Sequence, residues 1–379
     1  MIYLDYAATT PMSKEALTVY SKVAIDHYGN TSSLHDTGTE ASQLLHLCKE
    51  KLASWLNGEK DGVHFTSGGT ESNYVGVQSL LQGNKQKGNH IITTKLEHSS
   101  LLNLWKRLEK EGYHITYLPS DKQGLISIDT LEQAICEDTV LVAIQHVNHE
   151  IGTIQHIEKI GRLLRDKNVL FHCDCVQSFG KIRIDVKAAN ISSLSISSHK
   201  VYGPKGVGAL YIHPSVSWSS LFHCQSTAQS LRPGTVNTPG IASFITAAER
   251  AIEQMDKERE RYEQLFDYTK QAIRELDDFI QLEGHSTHHL PNIVGLTFAN
   301  VQGQYVMLQC NRYGIAISTG SACQVGQQAP SSTLLSIGKT EEEAKRFVRI
   351  SFGRDTTYHH IDEFVVTMKK LYHEFSCVK

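Results

Sequence analysis

Apolar runs and amphipathic stretches alternate along most of this 379-residue chain. Four runs predict β-strands, at 90–96, 139–147, 168–176 and 192–199. Several of them are apolar along nearly their whole length, which is typical of a parallel sheet covered on both faces. Between the strands, apolar residues recur at helical spacing in 99–112 and 157–167. The pattern therefore predicts an α/β protein.

The last third of the chain has a different pattern. A charged stretch of helical period at 242–278 predicts one long helix that links two domains. Further strand and helix patterns follow it, in an order that fits a small α+β domain. We expect a large domain at 15–255 and a small domain formed by 1–14 and 256–379.

Composition and charge narrow the class of protein. The chain is 40% hydrophobic and 20% charged, as an ordinary soluble globular protein is. Its formal net charge is −3 and it has no basic tract, so nothing supports direct binding to nucleic acid. The start lacks the features of a signal peptide, and no apolar run reaches the roughly 20 residues of a membrane span. We expect a cytoplasmic protein.

The eight cysteines lack the paired spacing of a disulfide framework. Cys173 and Cys175 lie two apart in a predicted strand and would point the same way, but a zinc site usually has a second pair. We expect a reduced chain without bound metal. Cys323 differs from the others, because "ISTGSACQVGQQAP" (317–330) predicts a solvated loop with no core around the thiol.

A candidate anion site lies in "VHFTSGGTESN" (63–73), where a predicted strand runs into two glycines and a helix. Free amide groups at a helix start bind anions, and glycine permits close approach. Thr70 can add a hydroxyl. The stretch is not a Walker loop, because no Gly-Lys-Ser/Thr follows. An ordinary capped helix is the alternative.

A candidate nucleophilic amine is Lys200, which follows the strand in "SISSHKVYG" (195–203). Burial favours the neutral form of a lysine, and a neutral amine can form a Schiff base. A surface lysine at a strand end is the alternative.

Three more residues have possible chemical roles. Asp174, at the end of an apolar strand, can pair with a protonated ring nitrogen or cap a helix. His98, where a strand gives way to a helix, can stack on a flat cofactor or carry a proton. Arg354, after a strand, can clamp a carboxylate, and Arg349 is a weaker candidate because it lies earlier in the run.

Together these residues form the parts of a pyridoxal-phosphate enzyme. The chain resembles the cysteine desulfurases of the NifS/IscS type, within the class V aminotransferase group. The motifs come in the family's order across almost the whole chain: "YLDYAATTP" (3–11), "YGNTSSLH" (28–35), "FTSGGTESN" (65–73), "EHSS" (97–100), "HVNHEIGTIQ" (146–155), "CDCVQSFGK" (173–181), "SSHKVYGPKGVGALY" (197–211), "LRPGT" (231–235), "LPNI" (290–293), "STGSAC" (318–323) and "SFGRDTT" (351–357). The resemblance implies the fold type I of pyridoxal-phosphate-dependent transferases, with a mostly parallel seven-stranded sheet covered by helices and a small α+β domain.

The resemblance also implies how the cofactor, pyridoxal 5'-phosphate, is held. Lys200 would bind it as a Schiff base. The phosphate would be held by Gly69, Thr70, Ser197 and His199. Thr235 would reach the phosphate of the other subunit, so a homodimer is implied.

Other motif residues would contact the cofactor ring or the substrate. Asp174 would pair with the ring nitrogen, Gln177 would approach the phenolic oxygen and His98 would stack on the ring. Asn148 and His149 occupy the place where the family has two asparagines, the second of which contacts that oxygen. The substrate carboxylate would be bound by Arg354 with Asn30.

The implied reaction removes sulfur from L-cysteine and releases L-alanine. Cys323, as a thiolate, would take the sulfur as a persulfide and pass it to an acceptor protein, either an iron–sulfur scaffold or a tRNA-thiolation sulfurtransferase. Two alternatives remain open. One is another class V enzyme, such as a small-substrate aminotransferase or a selenocysteine lyase, and the other is a catalytically weak sulfur-relay protein that depends on its partner.

The chain departs from the family in two places. His149 replaces an asparagine, and "HCQSTAQS" (223–230) replaces a glycine-rich hairpin near the dimer-related site. We therefore expect slow turnover without an acceptor. The chain also ends soon after its last helix, without the scaffold-docking tail of some relatives, which makes a dedicated thiolation acceptor about as plausible as a scaffold.

Overall fold

The computed structural model describes residues 1–222, 231–320 and 330–376, the last residue by its backbone alone. The strands are β1 (Ile2–Tyr3), β2 (Val63–Thr66), β3 (His90–Thr94), β4 (His114–Leu118), β5 (Thr139–Ala143), β6 (Leu170–Asp174), β7 (Ser193–Ser197), β8 (Gly208–Ile212), β9 (Ile280–Glu283), β10 (Ile293–Phe298), β11 (Ile315–Ala316) and β12 (Phe347–Ser351). The helices are α1 (Lys14–Asp26), α2 (Asp36–Trp55), α3 (Gly69–Gly83), α4 (Ser99–Lys110), α5 (Ile128–Ala134), α6 (Ile157–Asp166), α7 (Thr238–Glu253), α8 (Met255–Ala272), α9 (Gly303–Arg312), α10 (Ser332–Ser336), α11 (Glu341–Ala344) and α12 (Tyr358–Ser376).

The central element of the described chain is a seven-stranded sheet with the strand order β2-β8-β7-β6-β5-β3-β4. β8 runs antiparallel to both of its neighbours, β2 and β7, while the pairs from β7 to β4 are parallel. The prediction of a mostly parallel seven-stranded sheet is therefore confirmed. Because parallel strands end at the same edge, the residues that follow β3, β5, β6 and β7 lie close together.

Both faces of this sheet are buried. Along β5, Leu141 and Ala143 pack into one hydrophobic core, while Val142 between them packs into the other. The core that contains Leu141 and Ala143 also includes Trp105 of α4, and the core that contains Val142 also includes Phe244 of α7. Alternate side chains of one strand therefore have separate apolar partners, which explains why the strand patterns are apolar almost throughout.

A separate core, which we call the second core, lies under a smaller sheet. β9, β10 and β12 form an antiparallel sheet of order β12-β10-β9, and β1 pairs in parallel with β11. The core beneath them joins Leu4 with side chains drawn from 262–371. The domain boundaries at 14/15 and 255/256 stay a prediction.

The structure corrects the single helix predicted over 242–278. α7 ends before Gln254 and α8 begins immediately after it. The two helices bury side chains in different cores, since Phe244 of α7 packs under the large sheet and Leu265 of α8 packs with the small sheet. The interruption at Gln254 therefore separates a helix that packs under the large sheet from one that packs with the small sheet. Among the described residues, no helix has the length and apolar character needed to cross a membrane.

Candidate active site

A cavity of about 410 Å³ lies at the carboxyl edge of the seven-stranded sheet. It is lined by nine of the residues that the sequence indicated: Gly69, Thr70, His98, His149, Asp174, Gln177, Ser197, His199 and Lys200. The remaining lining residues are Ala7, Ala8, Asn73, Gln145, Val147, Val176, Ser318, Thr319, Gly320 and Arg349. The cavity thus brings together residues from both sheets and from the N-terminal segment.

Lys200 enters the cavity from a short turn that follows β7. Its Nζ donates hydrogen bonds to the carbonyl oxygens of Ala7 at 2.6 Å and Ala8 at 2.7 Å. The N-terminal segment therefore crosses the cavity beside the lysine and holds its amine in a defined position.

The first turn of α3 lies where the two glycines predicted an anion site. Gly68 precedes the helix with a φ of +152°, a conformation that favours glycine, and no side chain caps the helix there. A Cβ on Gly69 would lie 2.6 Å from Cγ2 of Val176, so only glycine allows this close packing. The first amides of a helix have no partner within it, and they are available to an anion beside Thr70.

His199 faces the same part of the cavity as a neutral ring. Burial, together with the charge of Lys200, lowers the pKa of His199 to about 4. Its Nδ1 lies 3.0 Å from Oγ1 of Thr9. At neutral pH the imidazole can therefore donate or accept a hydrogen bond but adds no positive charge.

Asp174 ends β6 and is buried. Its Oδ1 accepts a hydrogen bond from the backbone N–H of Val176 at 2.9 Å, and its Oδ2 accepts one from Nδ2 of Asn73 at 2.7 Å. The carboxylate is thus fixed by one bond to each oxygen and still borders the cavity. Such a carboxylate can pair with a cationic ring nitrogen.

Gln177 is oriented by two neighbours. Its Nε2 donates to the carbonyl oxygen of Ala7 at 3.0 Å, and its Oε1 accepts from Nζ of Lys181 at 3.1 Å. Because a lysine can only donate, it directs the oxygen of the Gln177 amide toward itself. Burial, with the charges of Lys200 and Arg349, lowers the pKa of Lys181 to about 7.

Two histidine rings meet edge to face in the cavity. The centroids of His98 and His149 are 5.5 Å apart, with the planes inclined by 74°. Nδ1 of His98 accepts the backbone N–H of Ser100 at 3.2 Å, so the neutral ring carries its proton on Nε2. Burial lowers the pKa of His98 and holds that of His149 well below its usual range. Nδ1 of His149 is buried and has no hydrogen-bond partner among the described residues.

Of the two candidate arginines, only Arg349 lines this cavity. The guanidinium of Arg354 stacks on the ring of Tyr202, with Cζ 4.1 Å from the centroid, and does not line the cavity of Asp174 and His98. Arg349 does line it. One of its terminal nitrogens pairs with Oδ1 of Asp5 at 2.7 Å, while its Nε is buried without a partner among the described residues.

The sequence contained a signal for Arg349, although its early position in the run had made it the weaker candidate. In β12 the neighbours Val348 and Ile350 are both buried in the second core. Side chains alternate along a strand, so Arg349 between them must point to the opposite face. Its earlier position in the run, which made it the weaker candidate, is what places it over the cavity.

Three other predicted residues do not line this cavity. Asn30 is on an exposed turn, where its Oδ1 accepts the backbone N–H of Ser32 at 3.0 Å. Asn148 is fully buried, and its Oδ1 accepts the backbone N–H groups of Glu150 and Ile151, both at 2.9 Å, so it shapes a turn. Thr235 lines a separate cavity of about 530 Å³.

Cys323 and the segment 223–230 lie outside the described residues. The residues on either side of 321–329 both contact the carboxylate of Glu150. Oγ of Ser331 donates to Oε2 at 2.7 Å, and Gly320 lies so close to Oε1 that a Cβ there would collide with it. Gly320 and Ser331 are therefore both held next to Glu150, and Gly320 lines the cavity.

Comparison with known proteins agrees with this arrangement. The family described as class V aminotransferases matches residues 2–364. A relative from Bacillus subtilis (strain 168), named putative cysteine desulfurase NifS, is 47% identical over 376 residues, which are 99% of this chain and 95% of that protein.

Two solved structures are similar over nearly their whole length. One is called a NifS-like protein; it has a TM-score of 0.91 and 30% sequence identity, and the match covers 98% of this chain and 99% of that one. The other, described as SspA in complex with cysteine, has a TM-score of 0.81 and 33% identity, covering 93% of this chain and 99% of that one.

Proposed function

The chain belongs to the class V aminotransferase family, and we propose that it is a cysteine desulfurase of the NifS/IscS type. It converts L-cysteine to L-alanine with pyridoxal 5'-phosphate as cofactor, and it leaves the sulfur as a persulfide on Cys323. The observation that carries this proposal is the cavity around Lys200, in which an amine, an anion cradle and a buried carboxylate meet.

The cavity fits a ring that bears a phosphate at one end. The helix start at Gly69, the hydroxyls of Thr70 and Ser197 and the neutral ring of His199 form a polar cradle for the phosphate. Asp174, held by two hydrogen bonds, offers its charge to the ring nitrogen. Lys200 supplies the amine that holds the cofactor covalently.

When bound, pyridoxal phosphate supplies an electron sink beside the α-carbon of an amino acid. The chain supplies the remaining functions. Asp174 would pair with the ring nitrogen, and the neutral imidazole of His98 would lie against the ring. Nζ of Lys200 would carry a proton to or from the substrate.

Arg349 is the group that we assign to the substrate carboxylate, in place of Arg354. Its Nε–H is a buried donor in the cavity wall without a partner among the described residues, and a buried unpaired donor is costly. A carboxylate satisfies it with a charge-assisted hydrogen bond. The pair with Asp5 holds the guanidinium plane in place for this contact.

Cys323 performs the sulfur transfer in this proposal. Its thiolate forms an S–S bond to the substrate sulfur while the Cβ–S bond of the substrate breaks. The electron pair of that bond stays with the substrate carbon, which a proton then converts to the methyl group of alanine. An acceptor protein attacks the outer sulfur of the persulfide and takes it, and Cys323 returns to a thiolate.

The proposal includes a homodimer, because Thr235 lies outside the Lys200 cavity of its own chain. A role for Thr235 at a phosphate therefore requires a second copy. The acceptor is an iron–sulfur scaffold or a thiolation sulfurtransferase, and the protein acts in the cytoplasm.

The test combines the visible absorption spectrum of the purified protein with an assay of alanine and sulfide. We expect a yellow protein that forms alanine from L-cysteine and a thiol. Lys200→Ala should lose activity by at least about a thousandfold. Cys323→Ala should stay yellow and stop releasing sulfide, whereas Cys136→Ala, which removes an exposed thiol outside the cavity, should behave like the unmodified protein.

The outcomes separate the proposal from its alternatives. A colourless protein that does not bind added cofactor would contradict the whole assignment. A yellow protein in which Cys323→Ala still forms alanine at the normal rate would favour the lyase. A yellow protein that forms no alanine from L-cysteine would favour the aminotransferase, which releases a keto acid instead. A yellow protein that forms alanine only after a sulfurtransferase acceptor is added would identify the partner-dependent form.

A further inference from the structure

We propose that Asn73 and His172 are positioning residues that lock the carboxylate of Asp174 and the ring of His98 into one orientation toward the cofactor. This inference rests on the proposed function, because it concerns the same cavity. Asn73 lies in the second turn of α3, and His172 lies on β6.

Asn73 connects the two cavity residues directly. Its Nδ2 donates one hydrogen bond to Oδ2 of Asp174 at 2.7 Å and another to Oγ of Ser100 at 3.0 Å. Oγ of Ser100 lies 2.9 Å from Nδ1 of His98. Since both protons of the amide are used, the Asn73 side chain ties the carboxylate and the imidazole to one planar group.

His172 decides which way this amide faces. Its Nε2 lies 3.1 Å from Oδ1 of Asn73, and its Nδ1 lies 2.7 Å from Oγ of Ser193. An amide oxygen can only accept, so Nε2 carries the proton and Nδ1 accepts from the serine hydroxyl. The direction of every bond is then determined, from Ser193 through His172 and Asn73 to Asp174.

The part of this network formed by Asn73, His172 and Ser193 is buried, so each of its bonds matters. Asn73 is 1% exposed, and His172 and Ser193 are fully buried. Burial lowers the pKa of His172 to about 3, which keeps the ring neutral and its Nε2–H available. In a low-dielectric site an unpaired polar group is costly, and a fully paired network is rigid. A reversed Asn73 amide would set its oxygen against the Asp174 carboxylate.

The strand pattern offers an independent reason for this placement. Phe171, Cys173 and Cys175 pack in one core of the large sheet, so His172 and Asp174 share the opposite face of β6. α3 covers that face and presents Asn73 to both residues. One strand and one helix therefore bring Asn73, His172 and Asp174 together, and Asp174 is the carboxylate that would contact the cofactor.

The test measures cofactor binding and the visible spectrum of the loaded enzyme for four variants. Asn73→Ala and His172→Leu remove the bonds, His172→Gln retains a donor at the position of Nε2, and Asn84→Ala is the matched control. Asn84 is a buried asparagine at the other end of α3, where its Nδ2 donates to the carbonyls of Leu80 and Ser217.

We expect Asn73→Ala to weaken cofactor binding roughly tenfold or more, because it removes a hydrogen bond to a charged group. It should also shift the visible band and lower kcat more than it raises KM. His172→Leu should give the same changes to a smaller extent, and His172→Gln should restore most of the binding and the spectrum. Asn84→Ala should leave both unchanged.

The inference is overturned if the unmodified protein binds the cofactor but Asn73→Ala and His172→Leu bind it equally well with the same spectrum. It is also overturned if His172→Gln is as impaired as His172→Leu, since then the donated bond is not the cause. If the unmodified protein does not bind pyridoxal phosphate at all, the proposed function fails, and this inference fails with it.

Discussion

The two walls of the Lys200 cavity are held by different interactions. One wall, which we call the sheet edge, consists of His98, Asp174, Ser197 and Lys200, which lie at or after the carboxyl ends of β3, β6 and β7. The other, which we call the opposite wall, consists of Ser318–Gly320 and Arg349 near the small sheet. Backbone pairing of neighbouring strands places the sheet edge, and buried hydrogen bonds between side chains orient it.

Besides the backbone pairing of β12, the opposite wall depends on side-chain contacts between distant parts of the chain. Arg349 pairs with Asp5, which lies 344 positions away in sequence, and Ser331 binds Glu150, 181 positions away. Loss of one such contact can move this wall without changing the strand order. The comparison therefore indicates that cofactor binding and substrate binding can be impaired separately. Three substitutions, in order of expected effect, test how the two walls are held.

The largest effect should come from Glu97, a fully buried carboxyl beside the sheet edge. Burial raises the pKa of Glu97 to about 8, far above the roughly 4.3 of an unfolded glutamate. Because the folded pKa is raised, the stability contributed by the protonated group is full below about pH 4 and is lost as the pH rises through 8. Glu97→Gln mimics the protonated form at every pH.

We expect Glu97→Gln to match the unmodified protein near pH 4.5 and to exceed its free energy of unfolding by roughly 3–5 kcal/mol above pH 9. Urea unfolding at pH 4.5, 7 and 9.5 measures the difference. Glu111→Gln, at an exposed carboxylate paired with Arg107, is the control and should show no such trend. A difference that stays constant with pH would mean that Glu97 is not held protonated.

The next effect should come from Arg349 on the opposite wall. Arg349→Gln removes the donor that we assign to the substrate carboxylate, and we expect KM for L-cysteine to rise about 100-fold while the visible spectrum of the cofactor is retained. Arg354→Gln, at the guanidinium stacked on Tyr202, should change KM less than about twofold. If Arg354→Gln has the larger effect on KM, the assignment of the two arginines is reversed.

The smallest effect should come from Asp5, which acts only through Arg349. Asp5→Asn keeps a hydrogen-bond acceptor but removes the charge that holds the guanidinium, so we expect KM to rise roughly three- to tenfold with kcat almost unchanged. Steady-state kinetics with L-cysteine measure this. Glu15→Gln, which breaks an exposed ion pair with Arg250, should leave KM unchanged. An unchanged KM in Asp5→Asn would show that Arg349 is held without its partner.

Much of the sheet edge was predictable because its signals are local. A strand pattern followed at once by a polar residue places that residue at the carboxyl edge, and Asp174 and Lys200 both obey this rule. Gly69 was predictable for a similar reason, since two glycines between a strand and a helix allow close backbone approach. Asn148, by contrast, lies in a motif but turns its side chain to backbone amides of its own turn.

The sequence by itself therefore determined the class of fold, the order of its motifs and the residues that end the parallel strands. Only the tertiary structure decided that Arg349 rather than Arg354 lines the cavity, that Asp5 holds it, and that His172 and Asn73 orient Asp174. The physical reason is the separation along the sequence of the residues that interact. Strand and helix periodicity are properties of a few neighbouring residues, whereas a hydrogen bond or ion pair across hundreds of positions exists only once two sheets and their covering helices are packed together.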